Sequence, residues 1–233
     1  MTTGEAGNVP ATVAACAADS RTVLFDFDGV LIHGDAFSLF VRDRYARSWW
    51  RKMLAVLASP WLLLRLLVVW RLPQRALMHI ALLGLNERRY RAVVEQFADQ
   101  LVRRPRQFCR DGLRALRRHQ AAGDRVVIVT GCEQLLVDRL LAQLGLPGIE
   151  IVASQLRPGR LGMRMQHHNV GAAKVRRLIE RGIDAWQLAY SDSLRDVPML
   201  KTAAQAVLVN GSPKLCKKVE RALGRATLRV DWH

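Results

Sequence analysis

Two carboxylates and a glycine follow an apolar run near the start of the chain. Val23 to Phe25 have the character of a strand buried on both faces, and Asp26 and Asp28 come directly after them. Side chains two apart in extended backbone lean to the same side, and Gly29 permits a turn that other residues resist. Such a pair suits phosphoryl transfer, because one carboxylate can attack phosphorus while the other, kept protonated, supplies a proton to the leaving oxygen.

The Asp-x-Asp-Gly sequence is also compatible with an ordinary acidic turn after a strand, so other stretches must decide. Arg125 to Gly131 predicts a second buried strand that ends in a hydroxyl and a glycine. Beside Asp26, the Thr130 hydroxyl and the Gly131 N–H could donate to a phosphate oxygen, with the dipole of a helix from Gln134 adding to them. A threonine at a strand end is equally consistent with a plain helix cap.

Two more acids follow a further predicted strand, residues 185–190. Asp192 and Asp196 are four residues apart and face one point above the sheet if a helix begins at Ser193. Asp192 would complete an oxygen-rich Mg²⁺ site with Asp26, and Asp196 could orient ligand waters or Lys174. On its own, Lys174 is interpreted as a solvated residue at the start of a helix over 174–181.

The composition points to an anionic partner. The formal charge is +16 over 233 residues, which is compatible with binding to nucleic acid, an acidic membrane surface or phosphorylated substrates. The four cysteines are scattered without metal-ligand spacing, which favours a reducing compartment. Residues 1–20 lack a basic start and predict a flexible leader.

An apolar segment over 49–72 is flanked by basic residues and contains four tryptophans. Residues 53–70 would be about 27 Å long as a helix, close to the roughly 30 Å of a bilayer core. A single crossing would separate Asp26 from the residues that it needs, and Arg65 and Pro60 disfavour one as well. We predict two short helical arms that meet near Ser59 and Pro60 and enter one leaflet, with the arginines on anionic lipid. The alternative is a hairpin that packs on the protein or on a second copy.

The order of these motifs resembles the haloacid dehalogenase superfamily, from Val23 to about Val209. The resemblance implies an α/β fold, a doubly wound, Rossmann-like parallel sheet with an inserted helical cap. It implies that Asp26 is the nucleophile and Asp28 the general acid/base. Mg²⁺ would be bound by Asp26, Asp192 and the Asp28 carbonyl. The implied phosphate-binding residues are Thr130, Gly131 and Lys174, with Asp196 in support.

The second acid argues for a phosphatase, because the dehalogenase branch lacks it. The long insertion after Asp28 and the sequence Tyr190-Ser191-Asp192-Ser193 resemble the phosphoserine phosphatase branch, where an acidic residue at the position of Asp35 contacts substrate. We therefore expect a hydrolase core over 21–34 and 107–233 and a helical cap over 35–106 that carries the apolar hairpin.

A closer resemblance is to bacterial phosphatidylglycerophosphatase C, which pairs this core with an apolar segment in the cap. It implies a lipid phosphate substrate and a peripheral or re-entrant position on the cytoplasmic side of the inner membrane. Two alternatives remain: a soluble phosphatase acting on a small metabolite, and a nonenzymatic nucleic-acid binder. The second explains the basic C-terminal residues but leaves the acidic positions unexplained, so nucleic acid is the less favoured partner.

Overall fold

The computed structural model describes residues 21–66 and 72–233, apart from the side chains of 60–75. The predicted leader, residues 1–20, lies outside the described residues. Within the described part, the strands form one sheet in the order β4-β3-β2-β1-β5-β6-β7, parallel except for β4. The predicted doubly wound α/β fold is confirmed. The strands are β1 Thr22–Phe25, β2 Arg125–Glu133, β3 Glu150–Gly159, β4 Gly162–His167, β5 Leu188–Ser191, β6 Gln205–Val209 and β7 Leu228–Val230.

Helices cover both faces of this sheet, as the uninterrupted apolar character of β1 requires. Val23 and Phe25 pack with apolar residues of α1, α4, α5 and α6, and Leu24 packs on the opposite face with residues of α7, α8 and α9. The helices are α1 Ala36–Ala46, α2 Trp49–Leu66, α3 Leu72–Leu82, α4 Glu87–Val102, α5 Arg110–Ala121, α6 Gln134–Gln143, α7 Ala172–Glu180, α8 Val197–Thr202 and α9 Pro213–Leu223.

The prediction that two helical arms meet near Ser59 and Pro60 is wrong. Helix α2 continues through both residues to Leu66. Proline removes the N–H that would bond the carbonyl four residues earlier, which is Val56. The Ser59 hydroxyl donates to that carbonyl at 2.7 Å, which satisfies the acceptor and lets the helix continue. Among the helices that the structure describes, none combines the length and apolarity needed to cross a bilayer.

The last part of the chain adds a helix and an edge strand to the sheet. Helix α9 is capped by Ser212, whose hydroxyl accepts from the Leu215 N–H, and it ends at Gly224 in the left-handed conformation. It buries Val219 on the sheet and leaves its lysines outside, and β7 then adds a parallel edge strand beside β6. The predicted strand over 185–190 begins later, at Leu188.

Candidate active site

Three neighbouring strands deliver the predicted site residues to one edge of the sheet. Phe25 of β1 pairs with Ile128 of β2 and with Tyr190 of β5, so Asp26, Thr130 and Asp192 follow within two residues of the same level, although β2 itself continues to Glu133. The Asp26 N–H donates to the Tyr190 carbonyl at 3.0 Å, which extends the pairing by one residue. Asp26, Thr130 and Asp192 therefore come together at the carboxyl edge, where open α/β sheets bind ligands.

Asp26 is the centre of a buried charge cluster. Its Oδ1 accepts from the Phe27 N–H at 2.8 Å and lies 3.1 Å from the Lys174 ammonium, which also bonds Asp196 Oδ2 at 2.8 Å. Lys174 is only 2% exposed, because its helix α7 packs against the sheet. Burial raises the pKa of Asp26. Burial is also the largest effect at Asp196, but the Lys174 charge and the hydrogen bonds that this carboxylate accepts together outweigh it and lower the pKa of Asp196. Asp196 is thus the first of the two to ionise, and it holds Lys174 beside Asp26.

Asp28 lies at the start of helix α1. Its Oδ1 accepts from the Ala36 N–H at 2.8 Å, while Asp35 caps the same helix by accepting from the Ser38 N–H. Burial raises the pKa of Asp28 to about 7, and the Ala36 hydrogen bond opposes that shift. The carboxyl can therefore carry a proton near neutral pH, as a general acid requires. Asp35 lies beside it, and its contact with substrate stays a prediction.

Gly29 and Asp192 occupy the same small space. Gly29 has φ +76°, and a Cβ at this position would lie 1.8 Å from Asp192 Oδ2. The glycine is thus required twice, for its left-handed backbone and for the room that the carboxylate takes. The contact places the Asp192 carboxylate directly beside the backbone that follows Asp28.

The last part of β2 is held in place by two buried polar residues, Ser154 and Asn169. Thr130 is fully buried and accepts from the Cys132 N–H at 3.0 Å, and Ser154 of β3 donates to the Gly131 carbonyl at 2.7 Å. Asn169 donates to the carbonyls of Thr130 and Val152 at 3.1 and 2.8 Å. Two neighbouring strands are thus tied together where Thr130 and Gly131 would meet a phosphate.

Comparison with known proteins identifies the family of this chain. The haloacid dehalogenase-like hydrolase family model matches residues 23–201, which include all of these positions. The chain belongs to this family. The family assignment confirms the prediction of an enzyme, a hydrolase. A search of curated proteins finds no significant match.

Solved structures of low sequence identity share the fold of this hydrolase. A protein of unknown function from Bordetella pertussis Tohama I has a TM-score of 0.68 at 21% identity, over 90% of this chain and 99% of that one. A phosphoserine phosphohydrolase-like protein from Francisella tularensis has a TM-score of 0.57 at 14% sequence identity, over 90% of this chain and 94% of that one. A structure of a phospho-aspartyl intermediate analogue of phosphoserine phosphatase has a TM-score of 0.55 at 15% sequence identity, over 91% of this chain and 93% of that one.

Sequence reasoning missed several residues that shape the hydrolase site. Asn169 follows two histidines, and no pattern around it marks a buried amide. The sequence gives Ser191 no role of its own within the Tyr190–Ser193 motif, yet its hydroxyl donates to Asp196 at 2.8 Å. Tyr90 of α4 donates at 2.7 Å to the buried Glu133 at the end of β2, which also caps α6. That bond joins the inserted helices to the sheet, and no local signal pairs two residues so far apart in sequence.

The residues predicted to hold Mg²⁺ fit a hard cation. In residues 21–66 and 72–233, no group of three or more His, Cys, Asp and Glu side chains is arranged as a metal site. The predicted set needs only two carboxylates, those of Asp26 and Asp192, together with the Asp28 carbonyl and water, and Mg²⁺ commonly takes such a sparse set of oxygens. Because Asp192 lies in the space left by Gly29, its carboxylate is already beside the Asp28 backbone.

Proposed function

We propose that this hydrolase is a Mg²⁺-dependent phosphatase that cleaves a phosphomonoester through an aspartyl-phosphate. The observation that carries the proposal is that Asp26 contacts the Lys174 ammonium and lies two residues from a second carboxyl, Asp28. Burial raises the pKa of both carboxyls, and the ammonium at 3.1 Å favours the ionised form of Asp26 that must attack phosphorus. Asp28, whose pKa is raised to about 7, can carry the proton that the leaving oxygen needs.

Asp26 and Asp28 together account for both bond changes and both proton transfers of the proposed reaction. A carboxylate oxygen of Asp26 forms a bond to phosphorus as the ester P–O bond breaks, and Asp28 gives its proton to the departing alkoxide. Water then attacks phosphorus and gives a proton to Asp28, which releases phosphate and restores Asp26. Lys174, Thr130 and the Gly131 N–H would bind the phosphoryl oxygens throughout. Mg²⁺ held by Asp26, Asp192 and the Asp28 carbonyl would neutralise charge on those oxygens when bound.

A lipid phosphate, phosphatidylglycerophosphate or a similar molecule, is the substrate class that best fits the inserted helices. The part of α2 with described side chains presents exposed apolar residues, among them Trp49, Val56 and Leu57 at 72%, 68% and 71% exposure. Such a helix beside arginines favours an anionic membrane surface, which a charge of +16 also favours. The resemblance to phosphatidylglycerophosphatase C supports the same substrate and a peripheral position on the cytoplasmic side of the inner membrane.

A soluble phosphomonoester is the second candidate. Its support is the fold shared with two structures of phosphoserine phosphatase, at 15% and 16% identity. In that case the exposed face of α2 would have no part in substrate binding.

Phosphate release tests these proposals. The assay measures phosphate from phosphatidylglycerophosphate in mixed micelles, from phosphoserine and from a soluble aryl phosphate, with Mg²⁺ and with Asp26→Asn as the blank. Preferential release from the lipid, abolished in the blank, is the expected result. Turnover of the soluble esters without lipid preference would reject the lipid substrate, and no release from any ester would reject the phosphatase.

A matched pair of variants tests the role of α2. Leu57→Glu places a charge on the exposed apolar face, and Ile179→Glu makes the same kind of change at an exposed position on α7. We expect Leu57→Glu to lower the ratio of lipid to aryl phosphate turnover, and Ile179→Glu to leave that ratio near the wild-type value. Equal ratios in the two variants would contradict a role of α2 in binding the lipid substrate.

A further inference from the structure

Three buried donors without partners lie where α1 gives way to α2. We call Arg44, Ser48 and Arg51 the basic elbow. The Arg44 Nε, the Ser48 Oγ and the Arg51 Nε are buried and have no hydrogen-bond partner among the described residues. Ser48 and Arg51 are only 7% and 8% exposed. Buried polar atoms are normally paired, so three unpaired ones within eight residues require an explanation.

The charges of the basic elbow are also unneutralised. The neighbouring carboxylate, Asp43, is already paired with Arg47 at 2.7 Å. Among the ion pairs of the described residues, none includes Arg44 or Arg51. Burial and the nearby Arg51 charge lower the pKa of Arg44 to about 10, and the Asp43 carboxylate opposes that shift. Burial also lowers the pKa of Arg51. A buried arginine without an ion-pair partner is costly, and a second positive charge nearby adds to that cost.

The contacts that Arg51 makes do not neutralise its positive charge. Its Nη2 donates to the Leu83 carbonyl at 3.4 Å, and its guanidinium carbon lies 4.3 Å from the centre of the Trp50 ring. Neither is an anion. Leu83 also lines a cavity of about 610 Å³ whose wall includes Arg160 and Arg164 of the β3–β4 hairpin. Two further arginines therefore line the cavity that Leu83 borders.

The start of α2 adds further donors. Ser48 directly precedes this helix, whose first backbone N–H groups have no acceptor within the helix and whose dipole favours an anion. Guanidinium, hydroxyl and backbone N–H groups at a helix start together suit a tetrahedral oxyanion, because each can donate to a different oxygen. No carboxylate of the described residues supplies these donors with an acceptor.

We propose that the basic elbow binds a phosphate group, as the headgroup of an anionic phospholipid or as free phosphate. The site is separate from the catalytic centre. Asp28 contacts Ala36 at the first residue of α1, and Arg44 lies eight residues further along, roughly 12 Å at about 1.5 Å per residue. The exposed apolar residues of α2, Met53 and Leu57 among them, follow directly, so a lipid held at the elbow would place its chains beside them. The binding needs no turnover and does not depend on the proposed reaction.

The test compares two double variants that each lose two positive charges. Arg44→Gln/Arg51→Gln removes the elbow, and Arg42→Gln/Lys52→Gln removes exposed charges from the same stretch. The first measurement is the rise in thermal unfolding midpoint when inorganic phosphate replaces chloride at equal ionic strength. The second is flotation with phosphatidylglycerol vesicles, with phosphatidylcholine vesicles as the uncharged reference.

We expect the phosphate-dependent rise to be smaller in the elbow variant than in the wild type and the control variant. We also expect phosphatidylglycerol affinity to fall on the order of tenfold more in the elbow variant than in the control, as the loss of charge-assisted hydrogen bonds implies. Loss of both responses identifies a lipid headgroup as the ligand, and loss of the phosphate response alone identifies free phosphate. Equal responses in the two double variants would overturn the proposal.

Folding is checked by circular dichroism in chloride, where the elbow variant should unfold cooperatively and at least as late as the wild type, because unneutralised buried charge has been removed. Ser48→Ala removes a single hydroxyl and keeps both arginines. It should reduce the same phosphate response by a smaller amount, and it replaces the double variant if that protein does not fold. An unchanged response in Ser48→Ala would then count against the site.

Discussion

Gly29 offers no room for a side chain, and substitution by alanine is the sharpest test of the proposed site. The added Cβ would lie 1.8 Å from Asp192 Oδ2, and ordinary contact begins at 3.4 Å, so the carboxylate must move by about 1.6 Å. Misplacement of a catalytic group by about 1 Å can cost on the order of a hundredfold in rate. We therefore expect Gly29→Ala to lower kcat/KM on an aryl phosphate by at least about a hundredfold, and to raise the Mg²⁺ concentration needed for half-maximal rate.

Gly148→Ala is the matched control. Both glycines have φ +76°, so both alanines bear a backbone strain of about 1–2 kcal/mol, but a Cβ at Gly148 meets nothing within 4 Å. Urea unfolding should show this common loss of stability in both proteins, whereas activity should fall only in Gly29→Ala. Equal activity in the two variants would refute the inference that Asp192 acts from the space beside Gly29.

Three further outcomes follow from the same geometry. Asp28→Asn should slow release of the alcohol in the first turnover by about 10²–10⁴-fold for an alkyl phosphate, and much less for an aryl ester, whose leaving group needs little proton donation; equal losses in this single-turnover rate would contradict the acid role. Lys174→Met should lower the free energy of unfolding in urea by about 3–5 kcal/mol at pH 7, because Asp26 and Asp196 lose the cation that they share. The loss should be smaller at pH 5, where these carboxyls can protonate. A loss independent of pH would count against the ion pairs. Burial raises the pKa of Glu133, so the folded state holds its proton more tightly and the unfolding free energy contributed by this group falls as pH rises above 4.5. Glu133→Gln should therefore gain stability relative to the wild type between pH 4.5 and 7.5, and a constant difference would argue against a buried, titrating carboxyl.

The catalytic candidates were accessible to sequence reasoning because each follows a recognisable strand. A buried strand leads to Asp26, another carries Thr130 in its second half, and a third leads to Asp192. In a parallel sheet, such strand ends lie on one edge whatever the order of the strands. The structure places these residues at that edge, and their roles stay predictions.

Other parts of the site had no such signal. Lys174 has the sequence context of a solvated helical lysine, and only packing of α7 on the sheet buries it between two acids. Asn169 and the pair of Tyr90 and Glu133 depend on partners far away in sequence. Helix α2 passes through Pro60, and the Val56 carbonyl there accepts from the Ser59 hydroxyl, a local bond that hydropathy does not register.

The sequence by itself determined the alternation of buried strands and helices, the acids that follow two of the strands, and the unusual basic and apolar character of α1 and α2. These are local properties, since period, turn residues and charge are written in neighbouring positions. Only the tertiary structure decided which charges are neutralised. It buries Lys174 against two carboxylates and leaves Arg44 and Arg51 without a carboxylate among the described residues, because burial and counter-charge depend on segments distant in sequence that packing brings together.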